Sequence, residues 1–160
     1  MNCQILNEMK IIFSNKIAVV FLFFTCSNYI HAQSVVYYPF NSVLGISSNP
    51  AHAVWVDVKL QTNSYFSSLS TDISPEFTVK KTPKSLTYLG VGAKLNYLNL
   101  IENNNILEGY FLNFGVRVMP FEKYKRIHIA FEISPYAGRN FDIGVFRSNL
   151  GIGYDFSKKK

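Results

Sequence analysis

Apolar side chains recur at every second position through six successive segments of this chain, and no helical period follows Gln33. Successive side chains of a strand point to opposite faces, so each segment has one apolar and one polar side. From Val54 to Phe66, the apolar face holds Val54, Val56, Val58 and Leu60, opposite Asp57, Lys59, Gln61 and Asn63. From Ile73 to Lys81, Ile73, Phe77 and Val79 oppose Ser74, Glu76, Thr78 and Lys80. From Ser85 to Leu98, Leu89, Val91, Ala93, Leu95 and Tyr97 oppose Gly90, Gly92, Lys94 and Asn96. From Glu108 to Met119, Tyr110, Leu112, Phe114, Val116 and Val118 oppose Asn113, Gly115 and Arg117. From Arg126 to Tyr136, Ile127, Ile129, Phe131 and Ile133 oppose Arg126, His128, Glu132 and Ser134. The last segment, Val145 to Phe156, sets Leu150, Ile152, Tyr154 and Phe156 against Asn149, Gly151, Gly153 and Asp155.

Turn-like stretches separate the segments: SLSTD, KTPK, NLIENNN, PFEKYK and YAGRNFD. Long strands on short connections predict an antiparallel, up-and-down meander of the all-β class. Most segments reach the roughly 9–11 residues that a tilted strand needs to cross a bilayer core.

Two closed architectures fit such a pattern, and glycine placement separates them. Gly90, Gly92, Gly109, Gly115, Gly151 and Gly153 all lie on the polar face. Glycine weakens a strand, and a water-exposed surface has no use for bare backbone. The interior of a narrow barrel does, because its walls lie close together. The pattern therefore predicts a transmembrane β-barrel with its apolar face in lipid and its polar face in the lumen. The alternative is a secreted soluble β-barrel that holds a small apolar ligand in its core. Aromatic residues near the segment ends suit interfacial girdles: Tyr65, Phe66, Tyr97, Tyr110, Phe121, Tyr124, Tyr136, Phe141, Phe146, Tyr154 and Phe156.

Six strands fall short of the even number, eight or more, that single-chain outer-membrane barrels use. The missing pair is assigned to Val35–Pro39 and Ser42–Ser48, for eight strands in all. A periplasmic lead-in or a plug is the other use of that stretch. Residues 33–52 thus form an N-terminal segment with short strands, 53–156 the barrel, and 157–160 a basic tail. If Phe156 ends on the periplasmic side, KTPK and PFEKYK are inner turns, and NLIENNN and YAGRNFD are outer loops.

Residues 1–32 read as a secretory signal peptide. The apolar run IAVVFLFF follows Lys10 and Lys16 and leads to IHAQ, with cleavage expected between Ala32 and Gln33. The run is too short for a helical span. Glu8 and the lack of a basic residue before Met9 fit a signal poorly, whereas MKIIFSNK from Met9 fits well, so either Met1 or Met9 is the start. Both cysteines, Cys3 and Cys26, lie in this leader, which leaves no thiol chemistry in the mature chain. Cys26 follows Phe24 and Thr25, where lipoprotein processing prefers a small residue. Loss of Lys10, Lys16 and Glu8 takes the formal charge from +6 to +5. The positives are scattered apart from Lys158 to Lys160, and export argues against a nucleic-acid partner.

The C-terminal NLGIGYDF resembles the β-signal of Gram-negative outer-membrane barrels, with Asn149, Gly151, Tyr154 and Phe156 on its polar, glycine and aromatic positions. Ser157 to Lys160 depart from it, since the aromatic usually ends the chain. With the leader ending in AQ, the mature chain resembles small, largely uncharacterised outer-membrane β-barrel proteins of Bacteroidota. That resemblance implies outer-membrane lipid, periplasmic chaperones and the barrel-assembly machinery as partners, and the cell outer membrane as location.

Chemistry is sparse. His128, Glu132 and Ser134 share a face, but side chains along one strand rarely converge into a nucleophile–base–orienter set, so catalysis is not expected. No phosphate loop, metal-ligand cluster or cofactor motif is present, and no catalytic, cofactor or metal residue is assigned. Asp57, Lys59, Glu76, Lys80, Lys94, Arg117, Arg126, Glu132, Arg147 and Asp155 are expected to pair in the lumen, since isolated buried charge is costly. A filled lumen excludes bulk transport, which takes about 16 strands. The expected role is a structural, anchoring or surface-interaction protein. Its working surface would be the outer loops, at Asn103 to Asn105 and at Arg139 and Asn140.

Overall fold

The computed structural model describes residues 33–62, 70–101 and 104–156. The expected signal peptide and basic tail, together with Asn63, Tyr65, Phe66 and Asn103, lie outside them. Eight strands follow in order: β1 Ser34–Tyr38, β2 Val43–Ser47, β3 Val54–Gln61, β4 Ser70–Lys81, β5 Ser85–Asn96, β6 Leu107–Val118, β7 Ile127–Gly138 and β8 Gly144–Asp155. Each pairs antiparallel with its sequence neighbour, and β1 pairs with β8, so the sheet is a closed up-and-down barrel. The two short N-terminal runs are therefore wall strands rather than a lead-in or a plug.

Register sets the shape of the barrel. Following paired residues once round the wall, from Tyr154 through Val35, Ile46, Val58, Ile73, Ala93, Tyr110 and Ala137 to Gly144, returns to β8 ten residues away. This stagger tilts the strands by roughly 35–45°. A strand of twelve residues, such as β6, then rises roughly 30 Å along the barrel axis. The wall is not level. β1 and β2 have five residues each, and β1 pairs with β8 only as far as Tyr37 opposite Ile152. Above that point Gly144 to Gly151 has a ladder partner on the β7 side alone. The Asn41 side chain partly closes the step, donating to the Ser148 carbonyl (2.9 Å) and to Asn149 Oδ1.

Three boundaries differ from the sequence pattern. β4 begins at Ser70, so the SLSTD stretch is partly strand, with Thr71 opposite Leu60 and Asp72 opposite Lys59. β3 is described only to Gln61. Tyr97–Leu100 forms a 3-10 turn in place of the end of β5, capped by the Asn96 side chain, which accepts from the Leu98 N–H.

The two faces separate sharply. Asp57, Lys59, Glu76, Arg117, His128 and Glu132 are buried, whereas Val54, Val56, Phe77, Val91, Phe114, Ile129 and Ile152 are exposed. The inward faces of β5, β6 and β8 carry the six glycines expected there. None of the described glycines has positive φ, so space rather than backbone freedom explains them. A Cβ on Gly90 would enter the Glu76 carboxylate, one on Gly92 the Phe111 ring, and one on Gly153 the His128 imidazole. In each case the bulky group belongs to the residue directly opposite in register. Large and absent side chains alternate across the ladders, which lets a narrow barrel fill without voids.

Two cations leave the lumen. A bulge after Thr78 sets Lys80 opposite exposed Thr87 and turns it outward, against the parity count. Arg126 precedes β7, is exposed, and donates to the Tyr154 hydroxyl (3.2 Å). Tyr136 departs from the girdle assignment in the other sense. It is half-buried at the loop end, with Arg147 and Lys94 over its ring.

Candidate functional site

The lumen is organised by a hub at Glu132 on β7. Its carboxylate meets Lys59 Nζ at 2.5 Å and accepts from the Tyr38 hydroxyl (2.8 Å) and the Tyr88 hydroxyl (2.5 Å). Three separate strands thus deliver donors to one buried anion. Lys59 also reaches Asp57 at 3.5 Å, and Asp57 accepts from Ser47 Oγ at 2.7 Å. A carboxylate taken out of water needs such partners, or the cost of desolvation is uncompensated.

Arg117 holds the level nearer the start of β1 and the end of β8. Its guanidinium donates to Ser34 Oγ (3.1 Å) and Ser47 Oγ (2.9 Å) and lies 4.6 Å from the Trp55 ring and 5.5 Å from that of Tyr88. A planar, weakly hydrated cation suits that slot between rings better than an ammonium does. Glu76 accepts from Ser74 Oγ (2.7 Å) and Asn113 Nδ2 (2.6 Å), and Asn113 Oδ1 in turn accepts from Ser134. At the same end, His128 faces Asp155 with 3.5 Å between Nδ1 and Oδ1. Nearer the loops, Lys94 pairs with Glu108 (3.1 Å) and Arg147 with Asp72 (3.0 Å), with Arg147 over the rings of Phe111 and Tyr136.

Of the charges assigned to the lumen, Lys59 pairs with Asp57 and Glu132, Lys94 with Glu108 and Arg147 with Asp72, and Asp155 faces His128. Glu76 and Arg117 are held instead by neutral groups and rings, and Lys80 and Arg126 lie outside the lumen. His128, Glu132 and Ser134 do not converge: each is bound to different partners on different strands. Sequence parity missed Tyr38, Trp55, Tyr88 and Phe111 as lumen residues, although the last three share a parity with charged or glycine neighbours; Tyr38 shares its face only with Ser34 and Val36. An aromatic on the polar face was the available signal.

Concavities among the described residues outside this packed centre include the following two. At the step above β1 and β2, a cavity of about 580 Å³ is lined by Asn41, Lys59, Gln61, Asp72, Arg147 and Asn149, with Phe40 and Phe146 at its lips. A second depression, of about 700 Å³, is lined chiefly by apolar side chains, among them Ile73, Pro75, Val91, Leu112, Pro135 and Phe141. Among the described residues no group of three or more His, Cys, Asp and Glu side chains is placed to hold a metal ion.

The residues of the C-terminal motif sit on the strand that closes the barrel. Gly151 packs against Tyr38 and Val36, Tyr154 lies opposite Val35, and the Phe156 N–H donates to the Gln33 carbonyl at 2.6 Å. Tyr154 and Phe156 rings meet edge to face with centroids 5.1 Å apart. Asn149 lies opposite Glu132 across the β7–β8 ladder and takes the Asn41 amide. Gln33, expected as the mature N-terminus, stands beside this closing strand. The chain matches no protein-family model, no curated protein and no solved structure.

Proposed function

We propose that this protein is a small integral outer-membrane β-barrel with a packed polar lumen, serving as a structural, anchoring or surface-interaction element. The observation that carries the reading is the inverted polarity of the wall. Glu132 is 0 % and Arg117 2 % exposed, while Val79 is 67 % and Ile152 64 % exposed. Exposed apolar side chains ring the barrel, well beyond the scattered patches that a protein in water tolerates. Hydrocarbon reverses that cost, and the sheet is closed except at the step above β1 and β2, where Gly144 to Gly151 lack a second ladder partner. No helix among the described residues is long and apolar enough to cross a membrane, which has no bearing on strands.

A soluble barrel for an apolar ligand calls for an apolar interior, whereas charges and hydroxyls fill this one. The same filling supports a role other than bulk transport. The exposed loop residues Asn104, Asn105, Arg139 and Asn140 are the surface offered to partners. The C-terminal motif, on the strand that completes the wall, supports recognition by a barrel-assembly machine. The test is solubility and gel behaviour. The mature chain should need detergent or lipid and should migrate faster unboiled than boiled. A monodisperse, β-rich protein in plain buffer would sink the reading.

A further inference from the structure

We infer that the barrel end where β1 begins and β8 ends is a docking rim for anionic phospholipid headgroups, an inference that rests on the membrane reading above. Charge is distributed unequally between the two ends. Around the start of β1, the end of β8 and the β2–β3, β4–β5 and β6–β7 connections, Lys80, Lys81, Lys84, Lys123, Lys125 and Arg126 are exposed. Among the described residues there, Glu122 is the only exposed acid, and it is paired with Lys84 at 2.7 Å. The loop end is balanced by comparison. Among the described residues its exposed ions are Arg139 and Asp142, and the other charges there are engaged as Lys94 with Glu108 and Arg147 with Asp72.

The geometry makes this more than a count of lysines. Lys80 and Arg126 have lumen parity in the sequence, yet both are turned to the outside at this one end. The bulge after Thr78 rotates Lys80 onto the outer face beside exposed Val79. The Tyr154 hydroxyl holds Arg126 over the outer wall. Exposed Phe121, Tyr124, Tyr154 and Phe156 stand in the same band. Cations just beyond an aromatic band lie at headgroup depth, where long side chains extend their charge to phosphate while their stems lie on the apolar wall. A neutral headgroup gains little from such a rim, and an anionic one is attracted by every cation within a Debye length.

The full mature chain, refolded into phosphatidylcholine bilayers, would be probed by electron spin resonance with spin-labelled phosphatidylglycerol and spin-labelled phosphatidylcholine. The expected result is an association about threefold or more higher for phosphatidylglycerol. The preference should fall toward unity in high salt, a control that needs no variant. It should vanish when Lys80, Lys81, Lys84, Lys123, Lys125 and Arg126 are all changed to Gln, and persist when the five lysines are changed to Arg. Equal association of the two lipids with an inserted barrel overturns this inference and leaves the membrane reading intact. A preference indifferent to salt or to the Gln variant overturns it as well. A chain that enters no bilayer removes both.

Discussion

Tyr88 lies directly opposite Gly115 across the β5–β6 ladder, and its ring fills the space that a Cβ on Gly115 would occupy. The same ring stands edge-on to Trp55 at 5.1 Å and donates its hydroxyl to Glu132. One missing methyl group thus positions an aromatic that serves both the stacked arginine and the buried anion.

Gly115→Ala is accordingly expected to destabilise the barrel by about 1–3 kcal/mol through overpacking. Because Trp55 is the only tryptophan, its emission should shift as Tyr88 is displaced. Gly144→Ala is the control, since a Cβ there meets nothing within 4 Å. Urea titration of both variants in detergent, read by fluorescence, checks the difference. Equal midpoints would contradict the packing account.

Removing one partner of the Lys59–Glu132 pair should be severe, because the other remains as uncompensated buried charge. Either Glu132→Ala or Lys59→Ala is expected to cost about 3–5 kcal/mol. The double variant should cost less than the two singles together, with a coupling of about 0.5–3 kcal/mol. A double-mutant cycle on unfolding midpoints measures this, and a coupling of zero would mean that the contact carries no energy.

Adjacent residues on β7 offer a test of sidedness. Ile129 is exposed on the outer wall and His128 is buried in the lumen. Ile129→Arg should impair insertion, though by less than the roughly 2–4 kcal/mol of a midplane site, because Ile129 stands only three residues from Arg126 in the interfacial band. His128→Ala should leave a cavity and lower stability, yet still allow insertion. Refolding yield into vesicles, scored by unboiled gel mobility, distinguishes them, and similar losses at both positions would reverse the assignment of lipid and lumen faces.

The closing strand separates assembly from stability. Losing the Phe156 side chain removes roughly 1.5–3 kcal/mol of burial at most, and less at its exposed position. Its backbone bond to Gln33 is retained in any substitution that keeps the N–H. Phe156→Ala, and Tyr154→Ala less strongly, should therefore refold in detergent with near-normal mobility yet lower outer-membrane abundance in cells. Deleting Ser157 to Lys160 should change neither. Normal abundance of the Phe156 variant would end the assembly-signal interpretation.

Much of this architecture is legible along the chain because strand parity is a local property. Each alternating segment states which side chains share a face, and six glycines on the polar face state that this face is crowded. Turn chemistry orders the strands, so an antiparallel meander follows without knowledge of any long-range contact. The same reasoning explains where parity misleads. One extra residue inverts every side chain beyond it, which is how the bulge after Thr78 turned Lys80 out of the lumen. At Arg126 the strand had not yet begun, so parity had no hold.

Sequence alone determined that the chain is a run of alternating strands with polar side chains on one face and apolar ones on the other, since that follows from a two-residue period; closure rests on the pairing of β1 with β8. Tertiary structure alone decided that Lys59 of β3 meets Glu132 of β7, that Arg117 rests between Trp55 and Tyr88, and that β1 and β2 form the low side of the wall. Those contacts cross the lumen. They depend on the ten-residue stagger, which is the accumulated register of eight pairings and is written in no single segment.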